Sequence, residues 1–318
     1  MTIPTPKRLA AFAFAAAFAF AACSSSGSSA SPTTAASAAA PTTAASADAS
    51  ASAPAASGSA AAVACETGTI TAAGSTALQP LVDAAGKAYT PLCPGSTITV
   101  QGGGSGTGLT QVFQGNVNIG NSDVTAESKL KPEEAPTLVD HVVARQGWIM
   151  VNNKDITGVT NLTTQQATDI WTGKVTNWKD VGGPDETIVL ILRPESSGTR
   201  ATFKKLVLNG ATEAAGQALT EDSNGAVIEA VKTTPGATSV VGFAFYQSNK
   251  DAVTGLQLDG VDANVDNMVN DSYKLQAFGH MYTKGEATGL SKSFIDYILS
   301  PDVQNGLIPS LFYAPVAK

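Results

Sequence analysis

Residues 193–200, RPESSGTR, place two guanidinium groups, three hydroxyls and a glycine between an apolar run at 188–192 and a helix-like stretch at 201–208. A strand, a tight polar turn and a helix start thus follow one another directly. The first N–H groups of a helix have no intrahelical acceptor, and the macrodipole adds partial positive charge there. With Ser197, Gly198 and Thr199 at such a start and Arg193 offering a bidentate fork, the segment has the parts of an anion site. Taken alone it reads more readily as a capped helix, because Ser and Thr are ordinary N-cap residues.

Other turns in the chain repeat the pattern. Ser75 and Thr76, Ser105 and Gly106, and Ser122 and Asp123 each stand where a strand-like run ends, and most stand where a helix begins. Brought together, they offer hydroxyl and backbone donors, the Arg193 guanidinium and one carboxylate. A carboxylate repels an anion unless a proton lies between them. Asp123 therefore fits only a ligand that carries its own proton.

The elements that would position these turns alternate strand and helix. Residues 69–72 read as a strand leading to a helix at 77–89. The β-branched run at 96–101 enters GGGSGTG at 102–108, with a helical piece at 109–114, and a short strand at 117–120 precedes a helical segment from about 125. Such alternation implies a parallel α/β sheet, whose ligands bind outside the carboxyl ends of the strands. Apolar runs at 139–144 and 148–151 lead into a second lobe, with a helix at 163–171, a turn at 177–183, the strand and helix around RPESSGTR, a helix at 224–233 and a strand at 239–244. The stretch 273–282 and the helix at 290–299 return to the first lobe.

With 318 residues, two domains are the natural prior. A formal charge of −7 argues against a nucleic-acid surface, and 2 His with 3 Cys leave few candidates for His-based catalysis or zinc; we expect no metal, no cofactor and no nucleic-acid partner. Lys7 and Arg8 precede 14 apolar residues, 9–22, which is the length of a signal-peptide core and short of a membrane span. Phe20-Ala21-Ala22-Cys23 resembles a bacterial lipobox, with Phe20 where Leu is usual, and so implies a lipidated Cys23 as first mature residue. Removing residues 1–22 leaves 17 basic and 26 acidic residues, a formal charge of −9. Residues 24–64 are almost wholly Ser, Ala, Thr, Gly and Pro with Asp48 as the one charge, the composition of a tether. Cys65 and Cys93 flank the first strand and helix, and outside the cytoplasm a disulfide is the natural reading.

AGSTALQP, GGGSGTGLTQV, the GNSD step and RPESSGTR, in this order and spacing, resemble the phosphate-binding component of the phosphate-specific ABC transporter. The likeness runs from Gly68 to the C-terminus and includes NLTTQQATDIWTGKVTNWKDVGG at 161–183. The resemblance implies a two-lobed periplasmic-binding-protein fold of type II, each lobe a mixed sheet flanked by helices, with two hinge crossings. By that likeness, residues 65–145 and 273–318 form one lobe and 146–272 the other. It also implies phosphate ligands at Thr76, the backbone of Ala77, Ser105, Asp123, Arg193, Ser197, Gly198 and Thr199. The partners it implies are inorganic phosphate and the membrane permease; with the lipobox, the chain is expected to be a lipid-anchored, extracytoplasmic protein, a monomer by default. The chain departs from the family in having Ala77 where some relatives carry a bulkier residue, and in lacking an Arg at 276–279.

The rival readings are weaker. A serine hydrolase elbow requires Gly at position 107, where the chain has Thr107, and neither His141 nor His280 lies at a strand-end turn. GGGSGTG lacks the Lys of a phosphate-binding P-loop. A binding protein for sulfate or molybdate would surround its fully deprotonated ligand with donors alone, which Asp123 contradicts; arsenate satisfies the same geometry as phosphate. Trp148, Trp171 and Trp178 sit in apolar contexts and read as core.

Overall fold

A computed structural model describes residues 63–214 and 219–316. The leader, Cys23 and all but the last two residues of the tether lie outside the described residues. In chain order the elements are β1 (Gly68–Gly74), α1 (Gln79–Leu92), β2 (Ser96–Gly103), α2 (Ser105–Gln114), β3 (Ile119–Ser122), β4 (Leu138–Asn152), β5 (Asn161–Leu162), α3 (Thr164–Trp171), β6 (Val189–Leu192), α4 (Gly198–Leu206), β7 (Leu219–Thr220), α5 (Asn224–Thr233), β8 (Ala237–Gly242), α6 (Phe243–Gln247), β9 (Thr254–Gly255), β10 (Gln257–Leu258), α7 (Val265–Val269), β11 (Gln276–Lys284), α8 (Gly289–Leu299) and α9 (Ile308–Ser310).

The main sheet runs β2-β1-β3-β11-β4-β8-β6-β7. β1, β2 and β3 are parallel, as are β8, β6 and β7, whereas β11 is antiparallel to β3 and β4, and β4 to β8. The sheet is therefore mixed. β4 links the two parallel halves: residues 138–147 pair with β11, and Trp148 to Asn152 pair with β8. The segment before β11 runs alongside the same point, where Trp148 N–H donates to Leu275 O at 3.0 Å and the Tyr273 hydroxyl to Trp148 O at 2.6 Å. These are the two crossings between the lobes.

Two cores lie on either side. One gathers Ile70, Leu81, Val82, Tyr89, Ile119, Phe294 and Ile298 between the first sheet half and helices α1 and α8. The other gathers Trp148, Met150, Trp171, Trp178, Ile191, Phe203, Val227 and Val241. All three tryptophans are buried. A Cys65–Cys93 disulfide, with Cα atoms 5.1 Å apart, ties the approach to β1 to the end of α1.

Several elements differ from the sequence expectations. The runs at 139–144 and 148–151 are one continuous strand, because Arg145, Gln146 and Gly147, polar in pattern, keep pairing with β11. Helix α2 begins four residues earlier than its apolar pattern, at Ser105. The segment from 125 forms only two single 3₁₀ turns, Ala126–Ser128 and Ala135–Thr137, the second opened by Pro136.

Candidate functional site

The parallel strands β1, β2, β3 and β6 end at Gly74, Gly103, Ser122 and Leu192, and the predicted polar turns follow directly. Four helix starts converge there: the turn into α1, then α2, α4 and α5. Local sequence explains each. Gly103 and Gly104, at φ 117° and 87°, make a turn that L side chains resist, and Gly104 also packs against Ser196. Ser197 caps α4 by accepting the Arg200 N–H at 3.2 Å, and Ser223 caps α5 by accepting from Ala226 at 3.2 Å.

Asp123 is 3 % exposed. Its Oδ1 accepts from the Ser75 hydroxyl and from Gln146 Nε2 at 2.9 Å. The polarity of Ser75 is forced, since its oxygen already accepts the N–H groups of Ala77 and Leu78 at 3.1 and 3.0 Å, leaving its proton for Asp123. Oδ2 has only a long contact, 3.5 Å, from Thr199 Oγ1, which itself accepts from Trp148 Nε1 at 3.0 Å. Burial raises the carboxyl pKa above the ordinary carboxylate range, opposed by the hydrogen bonds from Ser75 and Gln146 and by the Arg193 charge. One oxygen is thus saturated and the other is left for something that donates.

Around Oδ2 the remaining groups are donors. Arg193, 4 % exposed, is held by Nε to Glu221 O at 2.9 Å and by Nη2 to Asp222 O at 3.0 Å; its buried Nη1 has no partner among the described residues. Burial pulls the guanidinium pKa down, and the Asp123 and Asp222 charges push it back. Thr76 Oγ1 accepts from Arg193 Nη2 at 3.3 Å and Asn224 Nδ2 at 2.8 Å, so its proton points elsewhere. Ser105 Oγ accepts the Asp123 N–H at 3.0 Å and likewise keeps its proton. Gly198 and Thr199, at the start of α4, contribute N–H groups with no intrahelical acceptor.

The two lobes meet closely here. Gly106 N–H donates to Ser196 O at 2.9 Å, and Lys129 Nζ to Glu195 O at 2.5 Å. A Cβ on Gly198 would press on Ser105 Oγ and stand 2.7 Å from Asp123 Oδ2. Thr76, Ser105, Asp123, Arg193, Ser197, Gly198 and Thr199 are therefore brought together and buried. Ala77 is beside them, but its N–H is engaged by Ser75 Oγ, and its methyl faces Gly242 across the lobes. Sequence reasoning did not single out Gln146, Asn224 or Trp148 for the site. Asn224 carried a faint signal as a polar residue just after a cap, whereas Gln146 and Trp148 lie inside a strand and carried none.

Comparison with known proteins identifies the family. Residues 59–302 match the PBP superfamily domain. Phosphate-binding protein PstS of Bacillus subtilis is 46 % identical over 250 residues, 79 % of this chain and 81 % of that protein. The chain belongs to the phosphate-binding proteins of the PBP superfamily. A phosphate ABC transporter substrate-binding protein from Clostridium perfringens, solved with phosphate bound, superposes with a TM-score of 0.72 at 31 % identity, over 78 % of this chain and 100 % of that one. An ABC-type phosphate transport receptor from Vibrio cholerae gives 0.61 at 29 % identity, over 78 % and 100 %. These phosphate-binding proteins share the mixed-sheet, two-lobed architecture described above.

Neither histidine joins the site. His280 Nδ1 pairs with Asp140 at 2.9 Å, and His141 Nε2 meets Thr283 Oγ1 at 3.0 Å. Among the described residues no group of three or more His, Cys, Asp and Glu side chains is placed to hold a metal.

Proposed function

We propose that the protein captures inorganic phosphate between its lobes and passes it to an ABC permease, with no chemistry on the ligand. The observation that carries this is the donor set around one half-satisfied carboxylate: Arg193 Nη1, the hydroxyls of Thr76, Ser105 and Thr199, and the first N–H groups of α4, gathered about Asp123. Donors on all sides suit a tetrahedral oxyanion, and the lone acceptor suits one that retains a proton at neutral pH. Phosphate does and sulfate does not. On this reading the lobes are residues 65–145 with 273–318, and 146–272, and closure turns on β4 where its partner changes from β11 to β8. A lipidated Cys23 and the low-complexity tether after it would hold the monomer at the outer face of the cytoplasmic membrane, within reach of the permease.

Calorimetric titration of the protein with phosphate and with sulfate tests the assignment. Micromolar or tighter phosphate binding with sulfate weaker by orders of magnitude is the expected result; equal binding of the two, or none of phosphate, overturns it. Mass spectrometry of the membrane fraction, seeking a diacylglyceryl-modified Cys23, tests the anchor.

A further inference from the structure

Beside the cleft lies a cavity of about 470 Å³ lined by Lys129, Glu195, Arg200, Lys204, Lys205 and Asn209 among others. Four cations and one carboxylate wall it, on a chain whose formal charge is −7. It touches both lobes: Lys129 follows Asp123 by six residues and reaches across to Glu195 O, while the remaining cations belong to α4, the helix whose first turn forms the site. Arg200 is tied down by Glu195 at 2.8 Å and by the buried Glu213 at 2.6 Å. The ammonium groups of Lys204 and Lys205 have no ion-pair or hydrogen-bond partner among the described residues. Counting Glu213 behind Arg200, the pocket keeps a formal surplus of two positive charges, carried by these two lysines.

Distance makes that surplus felt at the site. Along α4, Lys204 and Lys205 lie five to seven residues past Gly198 and Thr199, roughly 8–10 Å at 1.5 Å per residue. That is about one Debye length at physiological salt and well inside it at low salt. A dianion approaching an acidic protein is repelled at long range, and a local basic pocket at the opening reverses the field where it matters.

We propose that this pocket is an anion-capture vestibule, whose lysines draw inorganic phosphate to the cleft and set its association rate without contributing to the bound complex. The proposal rests on the phosphate reading of the site and adds a kinetic role for residues outside it. Lys129 has a second part, since its ammonium both lines the pocket and bridges to Glu195 O when the lobes meet. Burial lowers its pKa, as befits a cation drawn in from solvent. Lys204 and Lys205 are free of that contact, which makes them the cleaner probes.

Stopped-flow mixing of the intact chain with inorganic phosphate, followed by tryptophan fluorescence, reads the rate; Trp148, bonded to Thr199 in the cleft, supplies the signal. The double variants K204Q/K205Q and K204E/K205E should fold normally, since both side chains lie at the surface end of α4. In about 10 mM salt the charge-reversed variant is expected to associate about tenfold more slowly, the neutral one by a smaller factor, with dissociation unchanged in both. In about 1 M salt the three proteins should converge. Equal association rates at low salt, or a deficit that persists at high salt, overturns the vestibule. Absence of any phosphate response in the unmodified chain overturns the ligand assignment itself, and is distinguishable because it does not depend on the lysines.

Discussion

Asp123→Asn offers the sharpest test of how this site chooses its ligand, because the surroundings dictate which way the new amide must turn. Ser75 can only donate toward position 123, its oxygen being occupied by the N–H groups of Ala77 and Leu78, and Gln146 Nε2 also donates there. The Asn carbonyl is therefore pinned where Oδ1 was, and the NH₂ replaces Oδ2, facing the ligand. An acceptor becomes a donor with almost no change in shape. Phosphate loses one charge-assisted hydrogen bond, worth about 1.5–3 kcal/mol, and so binds roughly 10- to 150-fold more weakly. Sulfate loses a buried carboxylate that it could not satisfy and gains a donor, so it binds more tightly than before. A site built around a donated proton rejects a ligand lacking it by about 10⁴ to 10⁵; in the variant that ratio should fall below about 10². Paired calorimetric titrations of native and variant protein at neutral pH measure it. An unchanged phosphate-over-sulfate ratio would show that Asp123 does not read the ligand proton.

The other expectations follow from the same geometry. Gly198→Ala places a methyl against Ser105 Oγ and Asp123 Oδ2 across the lobes; phosphate affinity should drop by more than about 100-fold with little change in the melting temperature of the ligand-free protein, and an affinity within a few-fold of native would refute the close approach. Because burial raises the Asp123 pKa in the folded state, the fold binds this proton more tightly than the unfolded chain does. Ligand-free stability should therefore fall as pH rises through the folded-state pKa, and D123N should lack that component and be at least as stable at neutral pH; urea titrations across pH, with a native profile matching that of D123N, would contradict it. Replacing Cys65 and Cys93 together by Ser opens a loop of 28 residues, at a cost of about 3–4 kcal/mol of stability in the chain-entropy description. Chemical denaturation with unchanged m-value would measure it, and a loss below about 1 kcal/mol would mean that the bridge constrains little.

What the sequence made legible, and what it hid, divides along a physical line. Ser75, Thr76, Ser105, Asp123 and the RPESSGTR residues stand at strand ends, where chain direction, a tight turn and a helix start are all local properties. Their spacing along the chain predicts where their donors lie in space. Gln146 and Trp148 occupy a strand whose identity as a crossing depends on its partners changing from β11 to β8, which no local pattern records. Asn224 looked like the ordinary first residue of a helix; only the fold brings its amide within 2.8 Å of Thr76, a residue 148 positions earlier. On the proposed reading, most of the groups that sequence revealed are those that would face phosphate, and the groups it concealed are those that orient them. Ser75 shows the difference within a single turn: its hydroxyl was visible as a candidate donor, yet two backbone N–H groups and Asp123 consume it. Its role is to fix the carboxylate. Selectivity in this site therefore resides as much in Ser75 and Gln146, which decide that one oxygen of Asp123 is spent and the other available, as in Asp123 itself.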